Sequence, residues 1–142
     1  MTPLVIVGCG KNKLDRPAPA FELYTGDSFR TTLAYARTLA PDHRILLLSG
    51  RYGLVRGSRV IVPYDQPMRR PSDQELMITV ARVQASLYGV GNERDVVALV
   101  GQKRYGRLVR GVWPHARFPI PSIPGVMARR EWIKAQLTEV SV

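Results

Sequence analysis

Three short apolar runs, each followed by glycine, stand out along the first hundred residues of the chain. They occupy residues 4–7, 44–49 and 95–100, and polar stretches separate them. Continuous apolar runs of this length are typical of strands that are buried on both faces of a sheet. We therefore predict three buried strands, each of which ends where a glycine follows.

A helical pattern connects the first two runs. Either Asp27 or Ser28 can act as its N-cap, and Pro41 ends it. Its apolar positions recur at helical spacing, at Phe29, Leu33, Ala36, Leu39 and Ala40. Because a helix that crosses between neighbouring strands makes them parallel, we predict a parallel β-α-β unit.

A second helix is predicted from residue 72 to Gly89. Ser72 and Glu75 have the spacing of a capping box. The helix carries an apolar stripe that we expect to face the core, formed by Leu76, Val80, Val83 and Leu87. Residues 102–111 predict a short basic helix, residues 117–120 an edge strand, and residues 127–140 a terminal helix.

The order of these elements predicts the fold class. Strands that alternate with helices indicate a single α/β domain spanning residues 1–142, with three layers and a short parallel sheet of about four strands flanked by helices. The length of 142 residues suits one core, and 45% apolar with 23% charged residues is ordinary for a globular protein.

Polar residues follow the predicted strands, and they mark a candidate ligand site. In an open parallel sheet, ligands bind outside the carboxyl ends of the strands, near the point where the strand order reverses. Glycine lets backbone N–H groups approach a ligand, and a lysine or arginine side chain attracts a phosphate or carboxylate. We therefore expect substrate binding by Gly10, Lys11, Lys13, Ser49, Gly50, Arg51, Gly53, Gln102 and Lys103. Neither the Walker spacing nor the dinucleotide spacing of glycines is present.

The net charge of +10 and a pI near 10.5 favour a polyanionic partner, namely nucleic acid or a nucleotide. A basic run supports this expectation, because Lys103, Arg107 and Arg110 lie along one side of the predicted helix as a candidate phosphate-backbone patch. Arg129 and Arg130 either extend that patch or flank it. An arginine-rich genome is the alternative explanation of the charge.

The lone cysteine excludes an intramolecular disulfide and favours a reducing cytoplasm. Cys and His residues lack the short spacing of a zinc site, so we expect neither a metal nor another cofactor. We expect no signal peptide and no contact with a membrane, since no apolar run approaches the length of a transmembrane helix.

Residues 49–54, Ser-Gly-Arg-Tyr-Gly-Leu, are followed by Pro63 and Tyr64. This two-part pattern resembles the S-G-x-Y-G-L … P-Y motif of the YaaA peroxide-stress family. The start of the chain, around residues 9–26, resembles small uncharacterised domains of phage and actinobacterial genomes that look like distant relatives of YaaA. The resemblance covers roughly residues 4–70. It implies DNA binding, protection of DNA from oxidative damage, and a relation to proteins that handle modified nucleobases.

Two residues are candidates for catalysis. Asp65 lies in a long excursion, residues 52–70, that we expect to fold over the crevice, where a carboxylate orients water or stabilises an oxocarbenium-like cation. Cys9 ends the first strand beside Lys11 and Lys13, whose charge would lower its pKa and favour the thiolate. The alternative is that Cys9 is a small buried residue that fills the end of the strand. His43 and His115 precede strands and are expected at the opposite edge of the sheet.

Four of the six tyrosines fall in or beside the predicted loops, at positions 24, 52, 64 and 105. Aromatic rings over a polar crevice suit base stacking. Two functions follow. The first is an enzyme that cleaves or exchanges the N-glycosidic bond of a modified or ordinary nucleobase, with Asp65 as its acid or base. The second is a module that binds nucleic acid or a nucleotide without catalysis.

Overall fold

The computed structural model describes residues 2–65, 71–101, 103–121 and 125–140. In chain order its strands are β1 (Leu4–Gly8), β2 (Ala18–Pro19), β3 (Ile45–Ser49), β4 (Gly53–Arg56), β5 (Val60–Ile61) and β6 (Val96–Leu99). Its α-helices are α1 (Ala20–Leu23), α2 (Asp27–Leu39), α3 (Pro71–Leu87), α4 (Arg104–Val112) and α5 (Val126–Val140).

The central sheet has the order β4-β3-β1-β6. Strand β1 pairs in parallel with β3 on one side and with β6 on the other, while β4 is antiparallel to β3. The α/β fold and the three predicted strands are confirmed. Because the chain moves from β1 to β3 and then crosses to the far side of β1, the strand order reverses between β1 and β6.

Alternate residues of β1 face two separate cores, as the two-residue period of a strand requires. Val5 and Val7 pack in the core beneath α2 and α5, whereas Leu4 and Ile6 pack in the core beneath α3 and α4. Helices α2 and α5 contact each other, and so do α3 and α4. The sheet therefore lies between two helical layers, and side chains fill both of its faces.

The described segment that follows β3 contains regular strands where a long loop is predicted. Gly53, with a φ of 70°, begins β4, which returns beside β3 as a hairpin. Strand β5 then pairs with β2 in a second small sheet. The turn into β4 requires glycine, because this left-handed φ is strained for other residues and a Cβ would meet the Gln84 side chain at 2.3 Å.

Helix α2 begins differently from the prediction. Its N-cap is Gly26, and no side chain caps the first turn. Asp27 is instead the first helical residue and forms an ion pair with Arg130 at 3.6 Å, so the predicted cap at Asp27 or Ser28 is wrong. The buried apolar face is as predicted, with Phe29 and Leu33 in the core.

Helix α3 is present, but its predicted core-facing stripe is wrong. Leu76 and Leu87 are 66% and 79% exposed, and Val80 and Val83 also face solvent. The buried side carries Ala81 and Ala85, whose small size lets the helix approach the sheet and α4 closely. Apolar residues occur on both faces of this helix, so spacing alone could not identify the packed face.

The remaining predicted elements have mixed outcomes. Helices α4 and α5 are found within two residues of the predicted bounds. The predicted strand at residues 117–120 is reduced to a single bridge between Arg117 and Val97. The side chain of Ser72, and with it the predicted capping box, lies outside what is described. None of the described helices combines the length and the apolar composition that crossing a membrane requires.

Candidate functional site

Four side chains lie together at the carboxyl ends of β1 and β3, and hydrogen bonds join three of them. The Ser49 hydroxyl donates to the Tyr64 hydroxyl at 2.6 Å, and the hydroxyls of Tyr64 and Tyr24 are 2.7 Å apart. Cys9 lies beside Tyr24, and each of the two groups shifts the pKa of the other. Either tyrosine can donate in the bond between Tyr24 and Tyr64, and where Tyr24 donates, the proton of Tyr64 is free for a ligand. We call these four residues the hydroxyl cluster.

Local structure explains why Ser49 can serve this cluster. It is the last residue of β3 and is completely buried. Its Oγ accepts backbone N–H groups of Arg51 at 3.1 Å and of Tyr52 at 3.0 Å, which is how serine commonly stabilises a turn. The same oxygen therefore fixes the turn after β3 and anchors Tyr64.

Lys13 covers the cluster. Its Nζ lies 4.4 Å from the centroid of the Tyr64 ring and 5.7 Å from that of Tyr24. It also donates to the Lys11 carbonyl oxygen at 2.9 Å. Burial lowers the pKa of Lys13, and the electrostatic influence of Cys9 and Asp65 partly opposes this shift. A cation thus lies against the aromatic faces of the cluster.

The cluster is electrically neutral at pH 7. Burial raises the pKa of the Cys9 thiol and that of the Tyr64 hydroxyl to about 12, and it also raises the pKa of Tyr24. Lys13 lowers the pKa of Cys9 as expected, but burial is the larger effect. The expectation of a thiolate at Cys9 is therefore wrong in its net direction, because burial favours the protonated thiol.

Tyr52 lies beside the cluster with two arginines. Its ring meets that of Tyr64 edge to face, with centroids 5.5 Å apart. The guanidinium carbons of Arg51 and Arg59 lie 5.5 and 5.6 Å from the Tyr52 centroid. Tyr52 is partly exposed and both arginines are exposed, so an aromatic surface and two cations are presented together.

Asp65 and Tyr105 lie within electrostatic reach of the cluster. Asp65 is exposed and acts on Lys13, while Tyr105 interacts with Cys9. Burial raises the pKa of Tyr105, so this hydroxyl is also neutral at pH 7. Asp65 therefore acts on Lys13 electrostatically, and its role at the strand-end loops stays a prediction.

A cavity of about 240 Å³ opens on the other side of the loop that follows β1. Residues 8–10 form one wall, the first turn of α2 a second, and the end of β6 a third. Arg129 and Arg130 of α5 line the fourth side. Cys9 belongs both to this cavity and to the hydroxyl cluster, and the cavity lies where the strand order reverses.

The structure brings only some of the predicted site residues together. Cys9, Lys13, Ser49, Tyr24 and Tyr64 come together, with Tyr52, Asp65 and Tyr105 around them. Lys11 and Lys103 are exposed and line none of the described cavities, whereas Gly10 lines the cavity beside β1. Gly50 and Gly53 shape the turn after β3. Gln102 lies outside the described residues.

Sequence reasoning did not assign Arg129 and Arg130 to the site. Their pairing near the start of the terminal helix was the available signal, but only the packing of α5 against α2 brings them to β1. His43 and His115 are exposed, and His115 contacts the Glu93 carbonyl oxygen at 2.8 Å near the opposite edge of the sheet. Within the described ranges, no three His, Cys, Asp or Glu side chains are grouped to bind a metal.

Comparison with known proteins gives one match. A family model described as a family of unknown function, DUF6884, matches residues 4–135. No curated protein and no solved structure is similar enough to the chain to count as a match. The resemblance to the YaaA family is not tested by these comparisons and stays a prediction.

Proposed function

The chain belongs to DUF6884, a family of unknown function, and we propose that this member processes nucleic acid or a nucleotide by holding a nucleobase at the hydroxyl cluster. One observation carries the proposal: hydroxyls and aromatic rings converge at the carboxyl ends of β1 and β3, beneath a lysine. This is the edge of a parallel sheet at which ligands bind.

The neutrality of the cluster suits a nucleobase. A neutral hydroxyl can both donate and accept, whereas an ionised one can only accept. The polar edge of a base presents donors beside acceptors, so neutral hydroxyls complement it. A tyrosine hydroxyl is neutral at pH 7 at its ordinary pKa of 10.0, and burial raises the pKa of Tyr64 and Tyr24 further.

The surroundings of Tyr52 favour a phosphorylated ligand. Stacking of a base on an aromatic ring contributes roughly 1–3 kcal/mol and tolerates different bases. Arg51 and Arg59 beside that ring supply positive charge, and the whole chain carries a net charge of +10. A partly exposed ring flanked by arginines is the arrangement expected where a nucleic acid or nucleotide meets a protein.

The finer proposal is cleavage or exchange of an N-glycosidic bond. In this reaction the bond between C1′ and the base breaks, the base leaves with the electron pair and takes a proton, and water or a second base bonds to C1′. Asp65 is the candidate acid or base, because its carboxylate stabilises positive charge at C1′ or activates the attacking water. Burial raises the pKa of Cys9, which favours the protonated thiol and disfavours nucleophilic attack.

Binding is tested by calorimetry with ribonucleosides, deoxyribonucleosides, their monophosphates and short single- and double-stranded oligonucleotides. Tyr64→Phe removes a hydroxyl that bonds Ser49 and Tyr24, so we expect about 5- to 10-fold weaker binding of the base, the scale of one neutral hydrogen bond. Tyr35→Phe is the matched control, since Tyr35 packs against Trp132 on α5. If no member of the panel binds at low ionic strength, the proposal is wrong.

Catalysis is tested by mass spectrometry for free base after incubation with nucleotides and with DNA that carries modified bases. We expect product from the wild type, at least a hundredfold less from Asp65→Asn, as for loss of a general acid or base, and no loss from Asp42→Asn. Asp42 pairs with Arg37 before β3, at the other edge of the sheet. Binding without product across the panel would favour the second candidate, a non-catalytic DNA-protection module of the YaaA-like type.

A further inference from the structure

The cavity between β1, β6, α2 and α5 is polar on one side and small. Its volume of about 240 Å³ lies below the roughly 300–1,000 Å³ of pockets that enclose a drug-sized ligand. It therefore suits a single compact group. It is open to solvent on one side, and Cys9 connects it to the hydroxyl cluster.

Two guanidinium groups define the chemistry of this cavity. The Arg129 terminal nitrogen lies 3.3 Å from the position that a Cβ on Gly101 would occupy, which places it at the carboxyl end of β6. The Arg130 side chain is mostly buried, and its Nε is shielded from solvent without a hydrogen-bond partner among the described residues. A buried donor without an acceptor is unfavourable, so an acceptor from a ligand would stabilise it.

The backbone adds further donors. The first N–H groups of a helix have no carbonyl partner within the helix, and α2 has no side-chain cap. Ser28 and Phe29, in that first turn, line the cavity beside residues 8–10. The only acidic partner near these arginines within the described ranges is Asp27, which lies 3.6 Å from Arg130 and is 85% exposed.

We propose that this cavity is a phosphate subsite in which Arg129 and Arg130 bind the phosphate group of the nucleotide. The inference rests on the proposed function, because the base would lie in the hydroxyl cluster across the loop of residues 8–10. Arg129 suits this task since a planar guanidinium group presents two N–H groups to two phosphate oxygens at once. The terminal nitrogens of Arg130 already contact Asp27 at 3.6 Å and Met127 Sδ at 3.0 Å, so Arg130 contributes its charge and its Nε. The phosphate of the bound nucleotide is thereby assigned to α5, whereas Arg51 and Arg59 beside Tyr52 remain for further phosphates of a nucleic acid.

The test compares three probes by calorimetry: inorganic phosphate, nucleoside 5′-monophosphates and the parent nucleosides. We expect wild-type protein to bind a monophosphate at least tenfold more tightly than its nucleoside. Arg129→Gln should reduce this ratio to about twofold and leave nucleoside affinity unchanged. Arg130→Lys should also reduce this ratio of affinities, because lysine keeps the positive charge but lacks the planar guanidinium group. Arg37→Gln, which loses a pair with Asp42 remote from the cavity, should keep the wild-type ratio.

The outcomes separate this inference from the proposed function. Equal binding of nucleosides and monophosphates, or an unchanged ratio in both arginine variants, would overturn the subsite and leave base binding intact. Binding of phosphate that depends on Arg129, with no binding of any nucleoside, would support the subsite and overturn the proposed function. If circular dichroism shows that Arg130→Lys does not fold, Arg129→Gln decides the result alone.

The source of the phosphate is resolved by a second comparison. Oligonucleotides with and without a 5′-terminal phosphate are titrated beside the free monophosphates. A preference for the phosphorylated end that is lost in Arg129→Gln would identify a nucleic-acid terminus as ligand. A gain confined to the free monophosphates would identify a free nucleotide. Absence of any phosphate-dependent gain in either series would overturn the subsite.

Discussion

At the scale of single residues, Ser49 determines much of the site geometry. Its hydroxyl oxygen accepts two backbone N–H groups, and its proton is donated to Tyr64. A buried donor that loses its acceptor keeps the full penalty of its desolvation. Loss of the Ser49 hydroxyl would therefore destabilise the fold by more than the net strength of its three hydrogen bonds.

We expect Ser49→Ala to lower the free energy of unfolding by about 1–3 kcal/mol, because it leaves backbone donors of Arg51 and Tyr52 without an acceptor. Urea denaturation measures the change. Ser58→Ala, in an exposed turn, should shift the same quantity by less than about 0.5 kcal/mol. Equal effects of the two substitutions would contradict this account of the turn.

Residue-level prediction from sequence succeeded in part. Ser49 and Tyr64 were both assigned to one crevice from the sequence, and in the structure their hydroxyl oxygens lie 2.6 Å apart. The ionisation of Cys9 could not be predicted, since neighbouring lysines are visible in a sequence but the degree of burial is not. Burial is the larger influence on this thiol.

At the scale of elements, apolar runs ended by glycine predicted β1, β3 and β6 well. A strand that is buried on both faces can be recognised in the sequence by its continuous apolar run, without knowledge of the strand with which it pairs. Strand β4 was missed because its identity depends on pairing with β3 through the turn at Gly53, which is a long-range property. Helix α3 was found, but its packed face was assigned wrongly.

The orientation of α3 makes a direct prediction. Val83→Ala and Val109→Ala are the same chemical change in a helix, but Val83 is 55% exposed and Val109 is fully buried. We expect less than about 0.5 kcal/mol of destabilisation for the first and roughly 1.5–3 kcal/mol for the second. Thermal and urea unfolding provide the comparison. A larger effect at Val83 would mean that the stripe predicted from sequence is the packed face after all.

At the scale of the whole molecule, several buried ionisable groups share one pH dependence. Burial raises the pKa of Cys9 from 9.0 and that of Tyr64 from 10.0, in both cases to about 12. Below about pH 9 these groups hold their protons in folded and unfolded chains alike. Between pH 9 and 12 the unfolded chain loses protons that the folded chain retains, so the free energy of unfolding falls.

We therefore expect stability to decline as the pH rises from about 9 to 12, with a smaller slope in Tyr64→Phe because one titrating group is removed. Lys13 acts in the opposite sense up to about pH 10.5, since its lowered pKa makes the unfolded chain the stronger proton binder. Urea denaturation at a series of pH values measures the slope. A free energy of unfolding that is constant to pH 11 would contradict the shifts.

The arginines of α5 illustrate what a sequence cannot reveal at this scale. Arg129 and Arg130 are about a hundred positions from the α2 turn that they approach, and only the packing of two helices on one face of the sheet joins them. The reversal of strand order between β1 and β6 indicated where a cavity would form. The identity of the side chains that line this cavity depends on how the helices pack, which the sequence does not show.

The two cores of the sheet have a consequence for how the protein can change over evolution. The hydroxyl cluster and the arginine-lined cavity both lie with the core beneath α2 and α5. Mutations on that side alter stability and ligand affinity together, so few are neutral. Apart from Tyr105 and Gln84, which contact the site or the turn beside it, residues of the core beneath α3 and α4 act on stability, and relatives should therefore diverge faster there than on the side that carries the site.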